Sequence, residues 1–209
     1  MSDLVARTGR HQQRYEEGYR LIAGCIPFRF RDMEQNGGDT SEKIVEVLMI
    51  NSTSGPGLLF PKGGWENDET VKEAAVREAI EEAGVRGDLV HFLGYYPFKS
   101  KTLQDEFSPE GLCKAAMFAL FVKEELECWP EQSCRKRSWL TIPEAIDCCR
   151  HPWMRKALEE GFLKWHEGGM RLKENESKRN ETRQLSSSSS SFSIAGYNFS
   201  YTSSGLTKL

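Results

Sequence analysis

The chain has 209 residues, of which 28% are charged and 38% hydrophobic, and its formal net charge is −3. This length can bury the core of one domain that carries appendages. No apolar run reaches the about eighteen residues of a membrane span, and no basic stripe or nucleic-acid motif occurs, so neither a membrane nor a nucleic acid is expected as a partner. Six cysteines without a C-x-x-C pair are typical of reduced thiols in an intracellular protein.

Residues 1–18 are interpreted as an N-terminal extension. Together with Tyr19 they contain three arginines and three acidic residues. Transit peptides are rich in arginine but poor in acidic residues. We therefore expect the protein in the cytosol and the nucleus, with a mitochondrial address as the alternative.

Three strands are predicted in the first third of the chain. Residues Tyr19–Phe30 alternate in polarity and are rich in β-forming side chains, which predicts a strand. Lys43–Asn51 predicts a second, central strand. A turn at residues 52–57 then leads into the short apolar strand Leu58–Phe60, which is followed by Pro61–Gly64.

A helix is predicted after this turn. Thr70 and Glu73 have the spacing of a capping box, and Gly84 supplies a left-handed stop, so the helix runs from about Thr70 to Gly84. The face expected to pack on the sheet carries Val76, Ala79, Ile80 and Ala83. A different ridge carries Glu78, Glu81 and Glu82.

The second half of the chain predicts three strands and then two helices. The strands are expected at Leu89–Ser100, Leu112–Val122 and Arg137–Leu140, and the helices at residues 145–150 and 152–166. Strands on both sides of an acidic helix, with helices at the end, favour an α/β fold with an α/β/α sandwich around a mixed β-sheet. We assign this domain to residues 19–168.

The composition changes at about residue 169. Residues 186–191 are six consecutive serines, and the remaining residues up to the C-terminus are mostly Ser, Thr, Tyr and Gly. Such a segment cannot bury enough apolar area to offset the entropy of ordering it, so residues 169–209 are predicted to be a disordered Ser-rich tail. A phosphorylatable regulatory tail is the functional alternative.

Acidic residues are concentrated between Gly63 and Val85, a stretch with seven acidic and two basic residues. A charge run on a helix is most often a solvated face. Here, however, Glu78 and Glu82 are like charges four residues apart and repel each other unless a counter-ion neutralises them. Carboxylate oxygens suit a hard divalent cation, so Mg²⁺ is predicted as the cofactor, with Mn²⁺ as the alternative. Arg77 lies four residues before Glu81 and could hold it as an oriented, ionised base.

The same stretch resembles the Nudix box. The matching residues are Gly63, Glu69, Arg77, Glu78, Glu81, Glu82, Gly84 and Val85. The resemblance implies a Nudix fold and a hydrolase that splits a diphosphate linked to another moiety. It also implies that Glu78 and Glu82 bind the metal, that Glu81 takes the proton of the attacking water, and that the carbonyl of Gly63 adds a ligand.

A finer resemblance covers roughly residues 3–166. The segments GYRLIAGCIPF, FPKGGWE and CRKRSWL are similar to those of the diphosphoinositol polyphosphate and diadenosine polyphosphate phosphohydrolases, and most closely to plant Nudix members of that group. It implies that Arg20 and Arg137 contact substrate phosphates and that the polar run containing Ser52 lies along the site. Lys62, beside the box, is taken as a further substrate-binding residue.

The chain departs from the animal members of this group in two places. In one, Trp65 follows a Lys-Gly-Gly loop instead of Gly-Gly-Gly. Leu21 and Ile22 stand where those members have basic residues. The choice between an inositol pyrophosphate and a dinucleotide therefore stays open.

Two classes of function are consistent with these features. The first is a hydrolase of pyrophosphate bonds in a small-molecule polyphosphate, for which ADP-ribose, NADH or another nucleoside diphosphate derivative are alternative substrates. The second is a binding module that senses a nucleotide or inositol phosphate without turnover. The intact Glu81 favours the enzyme, because a binder has no need of a base. The sequence does not indicate an oligomeric state.

Overall fold

The computed structural model describes residue 6 and residues 12–32, 43–100 and 102–169. Most of the predicted N-terminal extension and nearly all of the predicted Ser-rich tail lie outside these residues. The segment 12–18 is described, and its residues Tyr15–Glu16 pair with the strand that begins at Tyr19. The sheet therefore begins within the stretch that the sequence assigned to an extension.

The described residues form eight strands and a smaller set of helices. The strands are β1 Tyr15–Glu16, β2 Tyr19–Asp32, β3 Lys43–Asn51, β4 Leu58–Leu59, β5 Lys62–Gly64, β6 Val85–Lys99, β7 Leu112–Glu125 and β8 Arg137–Thr141. The helices are α1 Val71–Ala83, α2 Ile142–Cys148 and α3 Pro152–Lys156, with α3 continuing through the π-helical segment Ala157–Leu163 and helical residues 164–169. None of the described helices is long and apolar enough to cross a membrane.

The sheet is mixed, as predicted. Its main path has the order β4-β3-β2-β7-β6; β2 and β7 are parallel, whereas β2 and β3 are antiparallel. Besides β7, strand β2 pairs with β1 at its start, with β5 in its first half and with β3 in its second half. This places the start of β2 beside Lys62–Gly64 and so next to the acidic stretch.

Helix α1 begins and ends where the sequence predicts. The Thr70 hydroxyl accepts a hydrogen bond from the Glu73 amide at 3.3 Å, and the Glu73 carboxylate accepts from the Thr70 amide at 2.7 Å. Gly84 has a φ of 60° and donates to the carbonyls of Ala79 and Ile80. A left-handed residue of this kind closes a helix, and glycine adopts it at little cost.

The buried face of α1 differs from the predicted one. Ala79 and Ala83 are buried as expected, but Val76 and Ile80 are only partly buried. The face instead includes Ala74 and Ala75, together with the carboxylates of Glu78, Glu81 and Glu82. The helix is therefore rotated so that its acidic residues point into the protein. Positional pattern alone could not show this, because burial of a carboxylate depends on partners from other elements.

Candidate active site

A cavity of about 820 Å³ opens where β2, β5 and the loop after β3 meet. It brings together four predicted site residues, namely Arg20, Ser52, Lys62 and Gly63. Lys99, Arg135 and Arg150 also line it. Several cationic side chains converging on one cavity indicate an anionic ligand.

The carboxylate of Glu78 lies directly against the backbone of Gly63. A Cβ atom at Gly63 would collide with this carboxylate, so the glycine is needed for the close approach. The Glu78 side chain is only 10% exposed. Burial and the neighbouring Glu82 charge raise the pKa of Glu78 to about 8.

Glu82 is the second buried carboxylate beside residues that line the cavity. Its Oε2 atom accepts from the backbone amide of Lys62 at 2.8 Å, and its Oε1 atom accepts from Arg135 Nη2 at 2.6 Å. Burial raises its pKa, although Lys62 and Arg135 oppose the shift. Glu78 and Glu82 therefore stand together in a buried site that favours added positive charge.

Arg77 ties the acidic helix to the preceding loop. It pairs with Glu69 through two bonds, Nη2–Oε1 at 2.7 Å and Nε–Oε2 at 3.0 Å, and donates to the carbonyl of Gly64 at 2.8 Å. It also donates to Glu78 Oε1 at 2.6 Å and to Glu81 Oε2 at 3.3 Å. The contact between Arg77 and Glu81, which the four-residue spacing predicted, is present. Glu69 orients Arg77 through its two bonds to the guanidinium.

Glu81 and Arg77 also border a second, smaller space. This apolar groove of about 420 Å³ includes Val76, Ile80 and Pro130. Arg77 is thus shared between Glu78, beside Gly63, and Glu81, which lines the groove.

Comparison with known proteins identifies the family. A sequence model of the NUDIX domain matches residues 35–165. The chain is 70% identical over 170 residues to "Nudix hydrolase 16, mitochondrial" of Arabidopsis thaliana, covering 81% of this chain and 94% of that protein. The chain belongs to the Nudix hydrolase family. It is therefore an enzyme of the phosphoric anhydride hydrolase class, as the sequence predicted.

Two more distant similarities agree with this assignment. The chain is 34% identical over 149 residues to the mouse "Diphosphoinositol polyphosphate phosphohydrolase 3-alpha", covering 69% of this chain and 79% of that protein. A NUDIX hydrolase structure from Nitrosomonas europaea superimposes with a TM-score of 0.52 at 15% identity, covering 72% of this chain and 90% of the other. At this identity the structural match shows the fold alone, and it confirms the predicted Nudix fold.

Nudix hydrolases use divalent metal ions, and the acidic residues of this chain suit one. Glu78 and Glu82 offer hard oxygen donors, and burial, the main cause, raises the pKa of both. Among the described residues, no three Asp, Glu, His or Cys side chains are grouped closely enough to hold a metal ion. Arg77 engages Glu78, and Arg135 engages Glu82. A cation held by these carboxylates must therefore compete with two guanidinium groups.

Arg137, for which the resemblance implies a phosphate contact, is not among the residues that line this cavity. Its guanidinium donates to the carbonyls of Gly84 and Leu126 at 3.2 Å each and lies over the ring of Trp129, 4.1 Å from its centroid. Arg137 therefore fastens the end of α1 to the segment after β7. Arg135, two residues earlier, is the member of the basic cluster that faces the cavity.

Arg150 was not predicted by the sequence analysis. It donates from Nη1 to Ser52 Oγ at 2.8 Å and from Nη2 to the carbonyl of Ser54 at 2.9 Å, and the Cα atom of Arg150 packs against Gly57, which has a φ of 86°. Arg150 thus fixes the polar loop that forms one wall of the cavity.

Gln13 was also not predicted. Its Oε1 atom accepts from Arg20 Nε at 2.9 Å, while its Nε2 donates to the carbonyls of Leu21 at 2.7 Å and Trp65 at 3.2 Å. The side chain thereby orients Arg20 toward the cavity. The sequence gives no signal for either residue, since each acts on a partner far along the chain or in a loop.

Proposed function

We propose that this Nudix hydrolase cleaves a phosphoric anhydride bond in polyphosphorylated small molecules, with diphosphoinositol polyphosphates and diadenosine polyphosphates as the substrate classes, in a Mg²⁺-dependent reaction. The observation that supports the proposal is a cavity lined by Arg20, Lys62, Gly63 and Arg135, behind which Glu78 lies against Gly63 and Glu82 contacts Lys62 and Arg135. The cationic side chains would bind the phosphates, and the two carboxylates would bind the metal ion.

Glu78 and Glu82 would hold the metal, with the carbonyl of Gly63 as an additional ligand. The bound ion would neutralise negative charge on the phosphates and on the transition state. Mg²⁺ is preferred because it binds carboxylate and phosphate oxygens together and keeps part of its water shell. Mn²⁺ has similar ligand preferences and is the alternative.

Glu81 would accept the proton of the water that attacks phosphorus. In that step the new P–O bond forms as the anhydride P–O bond breaks, and the leaving phosphate takes the electron pair. Arg77 orients Glu81 through the 3.3 Å contact. Glu69 supports this role indirectly, because it fixes Arg77 through two bonds.

Substrate binding is assigned to Arg20, Ser52, Lys62 and Arg135. An arginine fork pairs with two phosphate oxygens at once. A substrate with many phosphates can engage several such groups, whereas ADP-ribose offers two phosphates. This argument favours the polyphosphorylated substrates, and the name of the mouse relative points to the same chemistry for that protein.

A mitochondrial location is proposed in place of the cytosol and nucleus. The expectation of cytosol and nucleus finds no support, because the relative that is 70% identical carries the word mitochondrial in its name. Fractionation of tissue expressing the full chain with a C-terminal tag tests the assignment. Recovery in the soluble cytosolic fraction alone would contradict it.

A substrate panel on the purified full chain tests the activity. We expect Mg²⁺-dependent release of phosphate or nucleotide from diphosphoinositol and diadenosine polyphosphates, with a higher kcat/KM than for ADP-ribose or NADH, and loss of turnover in EDTA. The Glu82→Gln variant controls for a contaminating hydrolase. Equal turnover by this variant, or a wild-type preference for ADP-ribose or NADH, would reject the proposal. A protein that binds these compounds without turnover would be a binding module.

A further inference from the structure

The segment before β2 is bonded to the loop that precedes α1. The Arg14 amide donates to the Trp65 carbonyl at 2.9 Å, and the Asn67 amide donates to the Gln12 carbonyl at 2.7 Å. The sequence assigned this segment to an N-terminal extension. The structure instead gives it a fixed register against the loop that carries Glu69.

The Arg14 guanidinium holds this loop in place. Its Nη2 atom donates to three carbonyls, those of Asn67 at 3.1 Å, Glu66 at 3.4 Å and Glu69 at 3.5 Å. The guanidinium also lies over the Trp65 ring, 4.5 Å from the ring centroid. The Trp65 Nε1 atom in turn donates to the Glu69 carbonyl at 3.0 Å. Arg14 and Trp65 therefore fix the backbone at Glu69 together.

The side chain of Glu69 connects this loop to α1. Its carboxylate pairs with Arg77 through two bonds, and Arg77 donates from Nη1 to Glu81 Oε2 at 3.3 Å. An arginine held by two parallel bonds has a fixed plane. The direction in which Arg77 presents Nη1 to Glu81 therefore depends on the position of Glu69. Displacement of the loop would misplace the Glu81 carboxylate.

We infer that Arg14 is a positioning residue for Glu81, and that it acts through Glu69 and Arg77. The inference rests on the proposed function, in which Glu81 accepts the proton of the attacking water. Arg14 is not among the residues that line the cavity. Its substitution should therefore slow the chemical step and leave substrate binding nearly unchanged.

Gln13, the next residue in the chain, is expected to have the opposite effect. Its side chain accepts from Arg20 Nε at 2.9 Å, and Arg20 lines the cavity. Two neighbouring residues of one segment thus act on different steps, since Gln13 orients a substrate-binding cation and Arg14 orients the base. Substitutions at the two positions should affect KM and kcat separately.

Arg29 offers a matched control. Its guanidinium also lies over a tryptophan ring, 4.0 Å from the centroid of Trp139. Its ion pairs are with Glu46 and Glu125, and none of these four residues lines the cavity. Arg14→Met and Arg29→Met each remove a guanidinium from a tryptophan ring and keep an unbranched side chain. Only the first should affect the reaction.

Steady-state kinetics of the full chain on diadenosine tetraphosphate, over Mg²⁺ concentrations up to saturation, test the inference. We expect Arg14→Met to lower kcat about tenfold at saturating Mg²⁺ and to change KM by less than about twofold, because a small misplacement of a catalytic group slows the chemical step. Arg14→Lys, which keeps a donor for the carbonyls, should recover part of the loss. Arg29→Met should keep the wild-type kcat and KM.

Nuclear magnetic resonance provides a measurement that does not depend on turnover. The Arg77 Nε–H group donates to Glu69 Oε2 at 3.0 Å, so its hydrogen should exchange slowly with solvent in isotope-labelled protein. We expect Arg14→Met to accelerate this exchange about tenfold or more, because the loop then opens more readily. Arg29→Met should leave the exchange rate unchanged.

Wild-type kcat in Arg14→Met would overturn the inference, and so would a rise in KM at unchanged kcat. A loss of kcat that saturating Mg²⁺ abolishes would also overturn it, because the effect would then act through Glu78 and the metal. Should Arg14→Met fail to fold in a melting experiment, Arg14→Lys decides the question through the same kcat and exchange measurements.

Failure of the proposed function has a different signature. A wild type that hydrolyses no member of the substrate panel rejects that function. Faster Arg77 exchange in Arg14→Met would still support the link between Arg14 and Arg77, whereas unchanged exchange would overturn it.

Discussion

Arg135 donates from Nη2 to Glu82 Oε1 at 2.6 Å, so a cation that lines the cavity directly contacts the carboxylate to which we assign metal binding. The same arginine is held by Glu131 Oε2 at 2.9 Å and by the carbonyl of Asn51 at 2.9 Å. Both members of the pair are largely buried, and removing one member of a buried ion pair leaves the other charge uncompensated. Metal binding by Glu82 and phosphate binding by Arg135 are therefore expected to influence each other.

Glu82→Gln is expected to lower kcat/KM by about a hundredfold or more, because a neutral amide is a poorer ligand than a carboxylate for a hard cation. The substitution preserves the shape of the side chain and should leave the fold intact. Kinetics at several Mg²⁺ concentrations, together with a melting curve, check this. Glu73→Gln is the control, since Glu73 lies on the same helix but only caps it. A Glu82→Gln enzyme with near-normal rate and unchanged Mg²⁺ dependence would refute the metal assignment.

Glu81→Gln should slow the chemical step and leave metal binding unchanged. The expected result is a loss of kcat of about 10²–10⁴-fold, the usual contribution of a general base. Binding of Mn²⁺, followed by electron paramagnetic resonance, should stay close to that of the wild type. Equal loss of Mn²⁺ affinity in the Glu81→Gln and Glu82→Gln proteins would mean that the two roles are wrongly assigned.

Local patterns in the sequence predicted much of the fold. The capping box at Thr70 and the glycine stop at Gly84 are short-range features, and both bounds of α1 result from them. The predicted strands at Tyr19 and Lys43 begin at those residues in the structure. Strand β6, in contrast, starts at Val85 instead of Leu89, because no loop intervenes between the glycine stop and the next strand.

The side-chain environment of the site was less predictable. Residues 135–137 form a basic cluster, but only the register of β8 against β3, in which Arg137 pairs with Ile50, decides which arginine faces the cavity. Gln13 and Arg150 act through partners that become neighbours only on folding. The stacking of Phe98 on Trp153 joins β6 to the C-terminal helix, and no local pattern specifies such a long-range contact.

Gln13→Leu should weaken substrate binding without changing the chemical step. The substitution removes the Oε1 atom that accepts from Arg20 Nε, so the guanidinium loses its fixed direction. We expect KM for diadenosine tetraphosphate to rise about tenfold, with kcat little changed. A tenfold change in KM corresponds to the free energy of about one hydrogen bond to a charged group. Gln12→Leu, at an exposed neighbouring position, should have little effect. If kcat and KM change alike in both variants, Gln13 has no positioning role.

The two arginines of the basic cluster should have separable effects. Arg137→Ala removes donors to Gly84 and Leu126 and the contact with Trp129. We expect it to lower the free energy of unfolding by about 1–3 kcal/mol and to change kcat/KM by the same factor for every substrate. Urea unfolding and the substrate panel measure both quantities.

Arg135→Ala, in contrast, should discriminate between substrates. A ligand with several phosphates loses a fork contact that ADP-ribose does not use. The variant should therefore lose about 1–3 kcal/mol more transition-state stabilisation on diadenosine polyphosphates than on ADP-ribose. The variant should also be less stable, because the buried Glu82 carboxylate loses its partner at 2.6 Å. Excess Mg²⁺ should restore part of that stability, because the ion can bind beside the carboxylate in place of the guanidinium. Substrate discrimination by Arg137→Ala but not by Arg135→Ala would show that Arg137, not Arg135, contacts the phosphates.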